Sequence, residues 1–163
     1  MPRSKLSIIS IAVGLAVALV AGFLSVDAWG PSSQFYVAEQ AKARGHFENL
    51  LPEALDAGNP IYATNSEGGY GTDAFAFDIS HADFLRMAQL HGGSAEDFTP
   101  FTGVQSLQAL LGPAFSIRAF HDRLAADFDT RSAEFYSRSE GSDGESWIYD
   151  FAHSRGYVMR WTG

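Results

Sequence analysis

Histidine is the residue type in this chain best suited to acid–base chemistry, because its side chain changes charge near neutral pH. The five histidines are His46, His81, His91, His121 and His153. His81 lies between Asp78 and Asp83 in the sequence, and His121 is followed directly by Asp122. Either histidine with its neighbouring carboxylate would make an acid–base pair. His81 and His121 are therefore the candidate catalytic residues.

A structural interpretation competes with the catalytic one at both histidines. His81 falls in the first turn of a predicted helix, where Asp83 would serve the N-cap and the helix dipole. His121 falls on a partly polar face of another predicted helix. No serine lies in a G-x-S-x-G elbow, although a catalytic set assembled only by folding stays open. The sequence therefore favours a protein that is not an enzyme.

Metal and cofactor chemistry has little support in the residue pattern. No two histidines are separated by four residues, which is the spacing that would place both on one helix face. The chain contains no cysteine, which excludes thiolate nucleophiles, disulfides and cysteine-ligated metals. We expect neither a metal site nor a cofactor.

A glycine-rich stretch over residues 65–73 resembles a loop more than a phosphate-binding site. It lacks the G-K-[ST] ending of a P-loop, and Glu67 and Asp73 would repel phosphate. We interpret it as a mobile hairpin loop with Tyr70 at its centre, available to contact a partner.

Overall charge limits the partners further. The net charge is −8, from 19 acidic and 11 basic residues, which excludes the basic face that nucleic acid requires. The hydrophobic fraction of 46% is enough to build a folded core. The chain is thus predicted to fold and to bind no nucleic acid.

An uncharged apolar run, residues 6–26, predicts one transmembrane helix. About twenty such residues span the roughly 30 Å of a bilayer's hydrocarbon core. Arg3 and Lys5 precede the run and Asp27 follows it, so the positive-inside rule puts the N-terminus in the cytoplasm. Residues 1–30 are predicted to form the cytoplasmic N-terminus and anchor in the inner membrane, and residues 31–163 an extracytoplasmic, periplasmic domain. The alternative is a signal peptide cleaved near Ala28, which would also leave the domain outside.

Two groups of residues near this anchor would contact other molecules. Ser10, Gly14, Ala18 and Gly22 recur every four residues, and such a stripe lets another helix approach closely. The stripe would also arise by chance in a segment this rich in small residues. The second group consists of aromatic residues that would lie at the membrane interface or in the domain core: Trp29, Phe35 and Tyr36.

The domain is predicted to be α+β, with several helices packed on an antiparallel sheet. Helices are expected over residues 33–44, 46–57, 81–91, 103–112 and 113–128, and short strands over 61–64 and 75–79. Alternating aromatic residues in three C-terminal runs, AEFYSRSE, ESWIYDFA and YVMRWTG, predict a three-stranded meander with one aromatic face.

These features favour a non-catalytic, single-pass accessory subunit of a bacterial membrane complex of respiratory, photosynthetic or secretion type. Its partners would be other integral membrane subunits or a second copy, reached through the transmembrane helix, together with the lipid bilayer. Two alternatives stay open: a membrane-anchored periplasmic ligand-binding or sensing domain, and a membrane-tethered hydrolase using His and Asp.

Overall fold

The structure is a computed structural model that describes residues 34–67, 70–102, 107–112 and 115–163. They all belong to one compact unit, Ser33–Gly163. The strands in the described residues are β1 (Gln34–Glu39), β2 (Gly58–Glu67), β3 (Tyr70–Asp78), β4 (Thr99–Pro100), β5 (Ala133–Glu140), β6 (Asp143–Asp150) and β7 (Arg155–Thr162). The helices are α1 (Ala41–Leu50), α2 (His81–Leu90), α3 (Leu107–Leu110) and α4 (Ile117–Arg123), with single 3₁₀ turns at Pro52–Ala54, Ala95–Asp97 and Thr130–Ser132. The predicted α+β class is confirmed.

The strands form one antiparallel sheet in the order β1-β2-β3-β7-β6-β5-β4. The predicted C-terminal meander is present, because β5 pairs with β6 and β6 pairs with β7. On its other side β7 pairs with β3 along eight positions. The last strand of the chain therefore lies in the middle of the sheet and joins its two halves.

Both faces of the sheet are packed, which the sequence pattern did not indicate. Along β6, Trp147 and Tyr149 lie on the first face with α1 and α2, whereas Ile148 between them lies on the second face with α3 and α4. The expectation of one aromatic face was wrong. A strand covered by helices on both sides loses the alternation of buried and exposed residues.

The first described element also differs from the prediction. A helix was expected over residues 33–44, but the chain forms β1 first and turns at Gln40, whose φ is 50°, before α1 begins. β1 pairs with β2 from Gln34 opposite Ser66 to Glu39 opposite Ile61. Aromatic and β-branched residues suit such a ladder, and its long-range hydrogen bonds outweigh the local helical pattern.

The predicted loop over residues 65–73 is wrong in extent. β2 continues to Glu67 and β3 begins at Tyr70, and Asn65 lies opposite Thr72 in regular register with both side chains buried. Pairing with β7 supports β3 as far as Gly71, opposite Thr162. A glycine-rich stretch can thus continue a strand when both of its neighbours in the sheet are present.

The helix predicted over residues 81–91 is confirmed as α2. Ser80 is its N-cap, and the Oγ of Ser80 accepts a hydrogen bond from the backbone N–H of Asp83 at 3.2 Å. Phe84 and Ala88 are buried on one side, as their spacing indicated.

None of the helices in the described ranges has the length and apolarity needed to cross a bilayer. The predicted transmembrane run, residues 6–26, lies outside the described residues.

Candidate functional site

His81 contacts an acid, but not one of its neighbours in the sequence. Its Nε2 lies 2.6 Å from Oε1 of Glu134 on β5, and its ring lies beside Tyr149 and Phe151. The predicted acids are engaged elsewhere: Asp78 pairs with Arg155, and Asp83 pairs with Arg86 and with the capping serine. His81 therefore has an acidic partner that only the fold supplies.

His121 closes the end of a helix. Its Nδ1 lies 3.1 Å from the carbonyl oxygen of Ala125, and its ring contacts Phe120 and Phe128. Asp122, the predicted acidic partner, faces Arg118 at 3.4 Å instead. His121 belongs to α4 on the second face and His81 to α2 on the first, so the fold does not bring the two candidates together.

A third histidine, His153, has the arrangement that acid–base chemistry needs. Its Nδ1 lies 2.7 Å from Oδ2 of Asp150, whose side chain is completely buried while that of His153 is 43% exposed. The other oxygen of Asp150, Oδ1, accepts hydrogen bonds from the hydroxyl of Ser132 at 3.0 Å and from the backbone N–H of Ala152 at 2.9 Å. A buried carboxylate thus holds a half-exposed imidazole in one orientation.

Local structure explains how these two side chains meet. Asp150 is the last residue of β6, and residues 151–154 form the turn that leads into β7. His153 lies three positions after Asp150, where the returning chain brings its ring back over the carboxylate. Sequence reasoning counted His153 among the histidines without connecting it to Asp150. The available signal was the D-x-x-H spacing at the junction of two predicted strands.

Charges around His153 favour its protonated form. The hydrogen bond to Asp150 and the charge of that carboxylate raise the pKa of His153 above its ordinary value of 6.5. The negative charge of Asp127 acts in the same direction, and Arg155 opposes both. His153 therefore keeps its proton to a higher pH than an isolated histidine, and its half-exposed ring can exchange that proton with solvent.

His153 opens onto a cavity of about 270 Å³ on the second face. The other walls are Asp78, the segment of residues 124–128, Arg155 and Tyr157. The guanidinium of Arg155 is paired with Asp78 and donates from Nη2 to the carbonyl oxygen of Asn59 at 3.3 Å. Burial raises the pKa of Tyr157, so its hydroxyl stays neutral. The cavity lining therefore combines a histidine, an arginine paired with the carboxylate of Asp78, a second carboxylate from Asp127, and a neutral tyrosine.

A second charged group runs across the first face at the opposite ends of the same strands. Arg138 Nε lies 3.0 Å from Oε1 of Glu145, and Arg160 Nε lies 3.7 Å from the other oxygen of that carboxylate. Arg160 Nη2 also lies 3.0 Å from Nδ1 of His91, whose Nε2 lies 3.3 Å from Glu53.

This row connects three strands to the end of α2 and to the first 3₁₀ turn, so its main role is to hold those elements on the sheet. Burial alone would raise the pKa of Glu53, but its backbone hydrogen bond and the neighbouring His91 and Arg160 bring it below its ordinary value. Since Arg160 donates to one nitrogen of His91, the other nitrogen is the donor toward Glu53.

The predicted contact residues are partly accessible. Tyr36 on β1 is 44% exposed and lies beside His46 and Tyr62, and Tyr70 at the start of β3 is 40% exposed. The backbone of Phe35 belongs to β1, and its side chain is outside the description. Trp29 and the stripe of small residues, Ser10, Gly14, Ala18 and Gly22, lie outside the described residues, so their roles stay predictions.

Within the ranges that the structure describes, no three histidine or acidic residues are arranged to hold a metal ion. Comparisons with protein-family models, with curated proteins and with solved structures found no match. The class of the protein is therefore argued from its own geometry: an α+β domain with a doubly covered antiparallel sheet and an Asp–His pair at one strand end.

Proposed function

We propose that this chain is a single-pass accessory subunit of a bacterial inner-membrane complex, with a cytoplasmic N-terminus and a periplasmic domain. The observation that carries the proposal is the uncharged apolar run of residues 6–26, with basic residues before it and an acidic residue after it. Residues 1–30 would serve as the anchor and residues 31–163 as the contact domain.

The surface of the domain supports a contact role. β1 is an end strand of the sheet and pairs with β2, and none of the other described strands pairs with its outer side. An uncovered edge strand is a ready template for another chain, and natural proteins usually protect it with lysine or proline. The sequence of β1, QFYVAE, has neither.

The position of β1 in the chain strengthens this argument. β1 begins at Gln34, eight residues after Val26, the last residue of the apolar run. A partner in the same membrane would find this edge close to the anchor in sequence, with Tyr36 exposed on it. The stripe from Ser10 to Gly22 would provide the matching contact within the bilayer.

The first test asks whether the chain is anchored and assembled. Native membranes are washed at alkaline pH, extracted with a mild detergent and separated by native electrophoresis. We expect the intact chain to resist the wash and then to migrate in a species heavier than its own 17.7 kDa plus detergent. Release by the wash contradicts the anchor, whereas migration as a lone monomer contradicts the assembly.

A second test locates the contact surface. A photo-crosslinking residue is placed at Tyr36 on β1 and, as the matched control, at Leu90 on α2, which is 68% exposed. We expect irradiation of native membranes to link position 36, and not position 90, to a partner that itself resists the alkaline wash. Equal crosslinking from both positions would argue against β1 as the contact edge.

A further inference from the structure

The geometry around His153 points to a hydrolytic site: we propose that Asp150 and His153 form a general-base dyad that activates water against a small carboxylic ester bound in the cavity beside Arg155. This site lies at the β6–β7 end of the second face, several strands from β1. The proposed hydrolysis does not depend on membership of a membrane complex and is a separate function of the domain. It gives the His/Asp hydrolase hypothesis a specific location other than His81 and His121.

The tautomer of His153 is determined by its partner, Asp150. A buried, ionised carboxylate accepts hydrogen bonds, so the proton of a neutral imidazole lies on Nδ1, which faces Asp150. The lone pair is then on Nε2, the nitrogen farther from Asp150. This is the orientation in which an Asp-held histidine acts as a base in hydrolases.

The turn between β6 and β7 does not require the contact between Asp150 and His153. The hydrogen bond from the Ala152 N–H to Asp150 Oδ1 is the Asx-type contact expected when an aspartate supports a turn. That contact and the hydroxyl of Ser132 use Oδ1, which leaves Oδ2 for His153. A turn would be complete without the histidine, whose side chain stays 43% exposed and lines the cavity.

The same cavity is also lined by a cation whose position is fixed, Arg155. Arg155 is 14% exposed and is held by Asp78 and by the carbonyl oxygen of Asn59. The charge of Arg155 acts to lower the pKa of His153, against the larger effect of Asp150. A pre-positioned cation in the cavity would stabilise an oxyanion formed on the substrate.

The reaction uses only the ester and water. Nε2 of His153 takes a proton from water as the water oxygen bonds to the carbonyl carbon, and the carbonyl electron pair moves to the oxygen, which becomes an anion facing Arg155. The anion then re-forms the C=O bond as the C–O bond to the leaving group breaks. The alkoxide takes the proton from His153, which gives a carboxylic acid and an alcohol and restores the neutral imidazole.

The direct test uses the full-length chain in detergent with p-nitrophenyl acetate as the probe ester. The chain contains no cysteine, so no thiol contributes background hydrolysis. We expect His153→Gln to lower kcat/KM at least tenfold, in line with the contribution of a general base. The matched control is His46→Gln, a partly exposed histidine stacked on Tyr62 on the first face, for which kcat/KM should not change.

Two further measurements separate the dyad from a merely structural role. In the wild-type chain kcat/KM should fall as the pH drops through the pKa of His153, and Asp150→Asn should move that inflection to lower pH. Added imidazole should restore part of the rate to His153→Gly. If Asp150→Asn fails to fold, Ser132→Ala provides a second test, because it removes one hydrogen-bond donor from the same carboxylate. A carboxylate with one donor fewer binds the imidazolium more tightly, so Ser132→Ala should move the inflection to higher pH.

The proposal is overturned by any of three results: no hydrolysis above buffer, equal losses in His153→Gln and His46→Gln, or an inflection that Asp150→Asn and Ser132→Ala both leave in place. None of these bears on whether the chain is assembled in a membrane complex, which the electrophoresis and crosslinking decide separately.

Discussion

A methyl group added at Gly144 should destabilise the domain, whereas the same addition at Gly45 should stabilise it. A Cβ on Gly144 would lie 2.3 Å from Cζ2 and 2.5 Å from Cε2 of Trp161, the indole that packs over this glycine on the second face. Carbon atoms pack at about 3.5–4.0 Å, so the ring would have to move by about 1 Å. Gly112 also lies close to this indole, since a Cβ placed there would lie 2.9 Å from the ring.

The magnitude follows from overpacking. Forcing an extra carbon against a packed side chain costs about 1–3 kcal/mol, and the short distance puts Gly144→Ala at roughly 2–3 kcal/mol. A Cβ on Gly45, inside α1, meets nothing within 4 Å. Gly45→Ala should therefore gain about 0.5–1 kcal/mol from the lower backbone entropy of alanine in a helix.

Thermal unfolding of the full-length chain in mild detergent, followed by far-UV circular dichroism, measures both effects. We expect Gly144→Ala to lower Tm by roughly 8–12 °C and Gly45→Ala to raise it by about 2–4 °C. A Gly144→Ala protein as stable as the wild type would refute the close packing of Trp161. A loss of stability in Gly45→Ala would refute the open surface at α1.

Three further predictions concern the core and the charged groups. Phe84→Ala removes a completely buried ring and should cost about 3–5 kcal/mol in urea unfolding; a cost under about 1 kcal/mol would mean that the first face repacks freely. Arg160→Met leaves the buried carboxylate of Glu145 with one cation fewer and should lower the free energy of unfolding by roughly 2–3 kcal/mol. The double variant Arg160→Met/Glu145→Gln should recover part of this loss, and no recovery would argue against coupling between Arg160 and Glu145. The raised pKa of His153 means that its pairing with Asp150 stabilises the fold fully below about pH 6.5 and loses that effect as the pH rises through the folded-state pKa. The stability difference between the wild type and His153→Gln should therefore shrink from pH 6 to pH 9, and a constant difference would contradict the pairing.

Local patterns were enough for the elements whose neighbours in the fold are also neighbours in the sequence. The alternation in the three C-terminal runs predicted β5, β6 and β7, because each of these strands pairs with the next one along the chain. The position of Asp83 predicted the start of α2, because the cap that it forms with Ser80 is a contact over three residues.

The misplaced elements depend on partners far away in the sequence. The residues of β1 were predicted to be helical because the hydrogen bonds that make them a strand come from β2, about thirty residues later in the chain. The stretch around Tyr70 was predicted to be a loop because the strand that stabilises β3 there is β7, about ninety residues later in the chain. Such pairings supply hydrogen bonds that no local window contains.

The candidate site likewise has features that the sequence predicted and features that only the fold supplies. The type of chemistry, histidine with a carboxylate, was evident from composition, but the partners were not. Glu134 reaches His81 across 53 positions, and Arg155 joins Asp78 across 77. Asp150 and His153 are close in sequence, yet only the completed sheet and the Ser132 segment bury the carboxylate that makes the histidine a candidate base.

By itself the sequence determined the apolar run, the acidic balance, the absence of cysteine and the strand-rich C-terminus, since each of these is a property of composition or of short-range spacing. The tertiary structure alone decided that helices cover both faces of the sheet, which arginine or histidine pairs with each carboxylate, and that His153 lines a cavity. Burial and long-range pairing arise only when distant segments meet, because the desolvation that makes an aspartate a strong partner is produced by side chains from several strands at once.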